Sequence, residues 1–435
     1  MELIVWFAFS VSRFFVHSLQ NLWWRYNGIT NTLKLTRAGE LYEQSAHILD
    51  IHWRYKWDVI PPTEKCRFIA THNRFEHPRC ILADVVSLIY LDENEALFVE
   101  TPPNVDIYNS DTNPFVYMAQ YKYAIRLIVL PMASFHKIAD EIGDPKTDVL
   151  LLSNTGRCGS TAVTQILESV PGVLAMSEPD GFTCLQNVIK TVHHEKVDRY
   201  VQSVTRVTCK PLSSNPRLIC IKTRSMCFLH ADKVANIAPG IKHLFLYRDG
   251  KATIQSFYHA FGNAPTFTFW HSMLTSRLAH CIVPKQSRHL WNWFIDIETY
   301  PEINDKELML RSSVVGILVG HWSCLCGAYK RFKASGMAVK AFKYEDILEN
   351  PRHACESLLA YCGLPMEYAG TACKALSKDA QRGMYKTRTA ADEQGDKYHI
   401  KWTPQFQAEA DFFCDYVGVT RIGEPTALPD TISSL

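Results

Sequence analysis

Net charge is nearly missing from this chain. Its 435 residues include 46 Lys and Arg against 44 Asp and Glu, a formal charge of +2. That balance removes any global field able to gather nucleic acid or an anionic surface, so an anion site must be local. Metal-type cysteine spacing is missing too. The 14 cysteines contain no CxxC pair, and the closest two, Cys324 and Cys326, stand alone. Packed, mostly reduced thiols are therefore expected, with disulfides in a secretory compartment as the alternative. No asparagine occupies an Asn-x-Ser/Thr acceptor, which counts against a glycosylated lumenal protein. Repeats and low-complexity tracts are absent as well. What is present, 47% hydrophobic and 12% aromatic residues, suffices for one large core or two modest ones.

Long apolar runs are also scarce. The amino terminus MELIVWFAFSVSRFFVHSLQNLWWRY is strictly apolar only to Phe9, after which Arg13, His17, Gln20 and Asn21 interrupt it. A spanning helix needs about 20 mostly apolar residues, so residues 1–30 read as an amphipathic or weak membrane-anchor segment. A helix packed on the protein or lying at an interface is favoured over a signal anchor. Cytoplasmic or peripheral-membrane placement is accordingly favoured over a Golgi membrane. Residues 31–145 read as an α+β region of unassigned role, in which ILADVVSLIYL, ALFVETPP and AIRLIVLPM supply buried strands or a helix. IPPTEK, TPPN and TNPF supply turns. The stretch Gly143 to Asp148 closes this region.

Beyond it the chain alternates strand and helix as a parallel α/β sheet requires. Strands are expected at Val149–Ser153, Val173–Met176, Leu218–Lys222, His243–Tyr247 and Ala338–Phe342. The expected fold is a three-layer, P-loop-like parallel sheet flanked by helices over 146–420, with a tail at 421–435 and the α+β amino-terminal region attached. Ligands in such sheets bind beyond the carboxyl ends of the strands, where three polar clusters fall. Gly156-Arg157-Cys158-Gly159-Ser160-Thr161 has the glycines, helix start and hydroxyls of a phosphate nest. It lacks the lysine of a GxxxxGK[ST] loop, which reaches the β and γ phosphates. Arg248 follows the run His243 to Tyr247, and Ser256 lies eight positions on. An arginine there suits bidentate phosphate recognition, with an ion pair to Asp249 as the competing reading. Lys222 ends a buried strand, where a charge needs an anion or a structural partner.

These clusters together resemble the sulfotransferase family that uses 3′-phosphoadenosine 5′-phosphosulfate. Arg157-Cys158-Gly159-Ser160-Thr161 matches its Lys/Arg-x-Gly-Ser/Thr-Thr/Ser loop, and Arg248 with Ser256 matches its 3′-phosphate motif. The segment KYEDILENPRHACESLLAYCGLP, Lys343 to Pro365, is similar to a carboxy-terminal family segment. The resemblance covers about Thr147 to Lys386. It implies that Arg157, Gly159, Ser160 and Thr161 hold the 5′-phosphosulfate, that Arg248 and Ser256 hold the 3′-phosphate, and that no metal is needed. The implied reaction is sulfuryl transfer to a hydroxyl or amine of a carbohydrate, phenol or protein side chain, with no nucleic acid as partner. Lys222 and Arg157 are the candidate cations for the leaving oxygen.

One branch of the family places a catalytic histidine after Lys-Thr, and here Lys222-Thr223 is followed by Arg224. Other branches resemble one another in using a glutamate after the second strand, and MSEPD supplies Glu178, 21 positions beyond Arg157. Glu178 is therefore the expected base, with His193 and His194 in reserve. Gly262 to Val314 reads as an insertion whose Trp270, Trp291 and Trp293 are better explained as core than as an acceptor platform. Lys386, Arg388 and Lys401 lie in a tail resembling the family's nucleotide-closing loop. A non-catalytic interaction protein and a P-loop kinase are the alternative readings.

Overall fold

The computed structural model describes residues 2–58, 60–262, 264–376 and 400–432. Among the described residues ten strands form: β1 Ala46–Arg54, β2 Phe68–Glu76, β3 Val86–Leu91, β4 Glu95–Glu100, β5 Arg126–Pro131, β6 Asp148–Asn154, β7 Val173–Ser177, β8 Leu218–Lys222, β9 Lys242–Tyr247 and β10 Val339–Lys343. They make a five-stranded sheet of order β2-β1-β5-β4-β3 and another of order β10-β9-β6-β8-β7. All five strands expected beyond Gly143 are present, each within two residues of its expected bounds. The chain divides into two compact units, one of Met1–Val149, Gly172–Ile221 and Asn236–Gly240, the other of Leu150–Pro171, Lys222–Ala235 and Ile241–Leu435.

In the first unit the β1–β5 sheet is antiparallel throughout. Its core comes from alternate strand positions, among them Leu49, Phe68, Leu97, Val99, Leu127 and Val129, because successive side chains point to opposite faces. Arg126 on β5 ties three strands, at 2.8 Å from Glu100 on β4 and 3.2 Å from Asp50 on β1. Four helices in this part are α1 Glu2–Tyr26, α2 Ile29–Arg37, α3 Val116–Tyr123 and α4 Met132–Ile142. After the next helix, α5 Ser160–Glu168 of the second unit, come α6 Asp180–Ile189 and α7 His194–Thr208. Helix α7 buries Val197, Tyr200, Val201 and Val204, the spacing of one helical face. Just beyond it, buried Lys210 directs its ammonium to the carbonyls of Ile81, Ala83 and Val86, the last two at 2.6 Å. Three hydrogen bonds to carbonyls oppose the desolvation of that cation, and burial still pushes it down to about 7.

In the second unit β6, β9 and β10 run parallel, with Leu150 opposite Lys242 and Val339 opposite His243. Six of the seven β6 residues are buried, and β9 is buried after its first residue, as expected of strands covered on both faces. The helices α8 Ala231–Ile237 and α9 Gly250–Phe257 follow in chain order. The 21-residue helix Val314–Ala334 is buried almost all round, which marks it as a central core element rather than a surface one. Its amino end is capped by the Ser313 hydroxyl, which accepts from Gly316 N at 3.0 Å. Trp291 is fully buried with Ile295 and Phe413, and Trp270 packs on the same cluster. The core reading of the insertion's tryptophans thus holds for these two. Nine of the 14 cysteines are buried, in line with packed thiols.

Candidate active site

The turn between β6 and α5 is built by glycine and held from inside. Gly156, Arg157 and Gly159 have φ of 77°, 49° and 78°, a left-handed run that curls the backbone into a concave nest. Space as well as φ demands glycine here. A Cβ on Gly156 would lie 2.4 Å from the Phe257 ring, and one on Gly159 would lie 2.2 Å from the Tyr344 ring. Asn154 anchors the turn, its side-chain oxygen accepting from Gly156 N and its amide donating to Thr223 O, both at 2.8 Å. Cys158 turns inward and donates to Leu246 O at 3.4 Å. Gly159 is the N-cap of α5, and Ser160 and Thr161 form its first turn. The backbone N–H groups of a first helical turn have no intrahelical acceptor, so this end attracts an anion.

The two sequence motifs meet at Arg157. Its Nε donates to the Ser256 hydroxyl at 3.1 Å, and its carbonyl accepts from Arg248 Nη1 at 3.3 Å. Helix geometry alone does not require Arg248 and Ser256 to face one another, and it is Arg157 that joins them. Asp249 does not form the competing ion pair. It caps α9 by accepting from Ala252 N at 3.0 Å. The Arg248 guanidinium instead lies 4.9 Å from the centre of the Tyr344 ring, a cation–π contact. The Arg248 carbonyl accepts from Trp322 Nε1 at 3.2 Å. Tyr344 and Trp322 are therefore supporting residues that sequence reasoning did not assign. Tyr344 lies inside the YED segment that was flagged, whereas Trp322 sits in an apolar run with no signal of its own.

Lys222 ends β8 with 2% exposure and is followed by buried Thr223 and Arg224. Thr223 N donates to Leu152 O at 3.0 Å, which binds this strand end to β6 beside the nest. Burial pushes the Cys158 thiol up, and hydrogen bonding with Thr155 and, less strongly, the charges of Lys222 and Arg248 oppose the shift. A helix amino terminus does not make Cys158 reactive here, because desolvation of the thiolate outweighs every stabilising charge. One residue past Arg224, the Ser225 hydroxyl meets His321 Nε2 at 2.9 Å. His321 Nδ1 lies 2.8 Å from Phe294 O. A carbonyl only accepts, so Nδ1 carries the proton and Nε2 accepts from Ser225. Burial holds His321 down at about 4.

Glu178 stands one residue past β7, half-buried, with φ 57°. Among the described residues only Arg157, Glu178, Asn215 and Asp430 are non-glycine residues with positive φ. Two of those four, Arg157 and Glu178, are among the three residues expected from sequence to act in catalysis; Lys222 is the third. His193 and His194 are exposed where α7 begins, and with Glu195 they gather ligand atoms within 4.8 Å of one another. Lys401 is exposed. Lys386 and Arg388 lie outside the described residues. The chain at Ile400 is bound to α9, its N donating to Gln255 at 3.0 Å, and Trp402 lies 5.8 Å from Lys251 Nζ.

The sulfotransferase domain family matches residues 146–408. The chain belongs to that family, and the protein is a sulfotransferase, a transferase with a parallel sheet flanked by helices and an added amino-terminal antiparallel sheet. Solved structures similar to it include a sulfotransferase from Alicyclobacillus acidocaldarius, 11% identical, covering 63% of this chain and 93% of that one with a TM-score of 0.35. A sulfotransferase from Mycobacterium avium is 10% identical over 67% and 83% of the two chains, with a TM-score of 0.36. A mouse sulfotransferase complexed with PAP is 12% identical over 66% and 90%, with a TM-score of 0.34. No curated protein matches the sequence.

Proposed function

We propose that this sulfotransferase uses 3′-phosphoadenosine 5′-phosphosulfate as donor and transfers its sulfuryl group to a hydroxyl or amine of a carbohydrate, phenol or protein side chain. The observation that carries the reading is the bonding of Arg157 to both Ser256 and Arg248. It supports one ligand with two separate anionic ends, the 5′-phosphosulfate on the nest and the 3′-phosphate on Arg248 and Ser256. The residues fit such a group: the left-handed Gly156, Arg157 and Gly159 curl the loop into a nest, and the hydroxyls Ser160 and Thr161 stand in the first turn of α5. A triphosphate with magnesium fits less well, since no lysine stands at the loop's terminal position.

The donor supplies an activated sulfur joined through a bridging oxygen to phosphate. Glu178 takes the proton of the acceptor hydroxyl as that oxygen bonds to sulfur. As the bridging S–O bond breaks, its electron pair stays on the phosphate oxygen, and the charge is met by Lys222, Arg157 and the nest N–H groups. Positioning and charge stabilisation dominate, as in phosphoryl transfer.

Calorimetric titration with 3′-phosphoadenosine 5′-phosphate, ADP and magnesium-ATP tests the donor assignment. Binding that favours the 3′-phosphate, and that Arg248→Ala abolishes, is the expected result. Equal affinity for ADP would overturn it.

A further inference from the structure

Helix α1 is amphipathic in the reverse sense for a helix packed on a water-soluble domain. The face turned to the antiparallel sheet carries Phe9, Arg13, His17, Gln20 and Trp24, spaced by three or four residues into one stripe. Phe9 packs against Trp53 and Tyr55, with ring centres at 5.3 and 5.7 Å, and Trp24 packs against His47 at 5.2 Å. The polar atoms Arg13 Nε, His17 Nε2 and Gln20 Oε1 are shielded on this side. The outward face is the apolar one. Leu3, Phe7, Phe14, Phe15, Leu19 and Leu22 are each 59–68% exposed, a continuous patch of the kind that marks an interaction surface.

The charge pattern selects the occupant. Between Leu3 and Gly39 the chain has Arg13, Arg25, Lys34 and Arg37 and no acidic residue. Arg25 and Lys34 are exposed, and Arg37 makes only a long 3.8 Å contact with Glu95. The last turn of the helix also exposes Trp23, Arg25 and Tyr26, aromatic and basic residues that favour the headgroup region. By length and composition residues 3–26 suffice to cross a membrane. Contacts from Phe9 at one end of β1 to Trp24 at the other hold the helix flat on the sheet, however, so only one side is open to lipid.

We propose that α1 is an in-plane membrane-docking helix, whose outward apolar face enters one leaflet of an anionic bilayer while its polar stripe stays on the antiparallel sheet. The test is flotation of the full chain with phosphatidylcholine vesicles, with and without phosphatidylserine. The wild type should float with the anionic vesicles and be released by alkaline carbonate. Phe7→Asp with Phe14→Asp should cut the floating fraction about tenfold while 3′-phosphoadenosine 5′-phosphate binding is unchanged. Should that pair fail to fold, Arg25→Glu with Lys34→Glu is the second arm, and it should remove the preference for phosphatidylserine. Wild-type protein that stays at the bottom of the gradient, or flotation insensitive to both pairs, would overturn the proposal. So would resistance to carbonate, which indicates a spanning helix. A lipid-free dimer that the Phe7 and Phe14 substitutions dissociate, with no vesicle binding, would assign the face to a second copy of the chain instead.

Discussion

Arg157 and Glu178 hold a left-handed backbone that costs a side-chain-bearing residue about 1–3 kcal/mol. Such a conformation persists only where its surroundings enforce it, and two substitutions at Glu178 separate its stability from its chemistry. Glu178→Gln keeps the shape and removes the base, so turnover should fall about 10²–10⁴-fold, with 3′-phosphoadenosine 5′-phosphate affinity intact. Glu178→Gly should raise thermal stability by about 1 kcal/mol through relief of φ yet lose turnover equally; unchanged turnover in either variant removes the base assignment. At Cys158 the expected result is inertness. The thiol is buried and pushed up, while Cys281 is exposed. Alkylation of the native protein followed by intact-mass peptide mapping should modify Cys281 and spare Cys158. Early labelling of Cys158 would mean that the nest opens far more readily than its hydrogen bonds allow.

At the scale of elements, the site depends on one close approach between the nest and the helix Tyr344–Glu349. Gly159→Ala drives a methyl into the Tyr344 ring at 2.2 Å and strains φ 78°. Titration should show loss of nucleotide binding, and Gly159→Ala with Tyr344→Ala should recover folding better than binding, since the clash is gone while the φ strain remains. If the single variant binds normally, the nest is looser than the geometry states. The strands that carry this site were legible because parallel strands are apolar runs, and charged residues such as Lys222 and Arg248 mark where those runs stop. The loop was legible because only glycine, a cation and hydroxyls suit a phosphate nest. The support of Arg248 by Trp322 and Tyr344 was not legible. Those residues lie 74 and 96 positions further along the chain, and neither a tryptophan in an apolar helix nor a tyrosine after a strand reports on its own which backbone it will meet. The inverted face of α1 escaped for a related reason. Periodicity gives the two stripes of a helix, but only packing tells which one is turned inward.

Across the whole molecule, burial of neutral imidazoles sets the response to acid. His47 is held down at about 3, and His243 and His321 at about 4, in each case chiefly because burial disfavours the charged ring. All three are at most 3% exposed. An unfolded histidine takes a proton near 6.5, so between that pH and about 4 the unfolded chain binds protons that the folded chain refuses. Stability contributed by these rings is therefore complete above about pH 6.5 and is lost progressively as the pH falls toward 4. Each can contribute a slope of up to about 1.4 kcal/mol per pH unit. His321→Gln removes one titrating ring, and glutamine still offers an amide to donate to Phe294 O and an oxygen to accept from Ser225. Denaturant titrations from pH 7 to 4 should show a steep fall for the wild type and a fall shallower by up to that one-ring slope for the variant. Parallel curves would mean that His321 is already protonated in the folded protein. Ser225 would then have lost its acceptor, and the hydrogen bond next to the strand end that carries Lys222 would have to be drawn with its donor reversed.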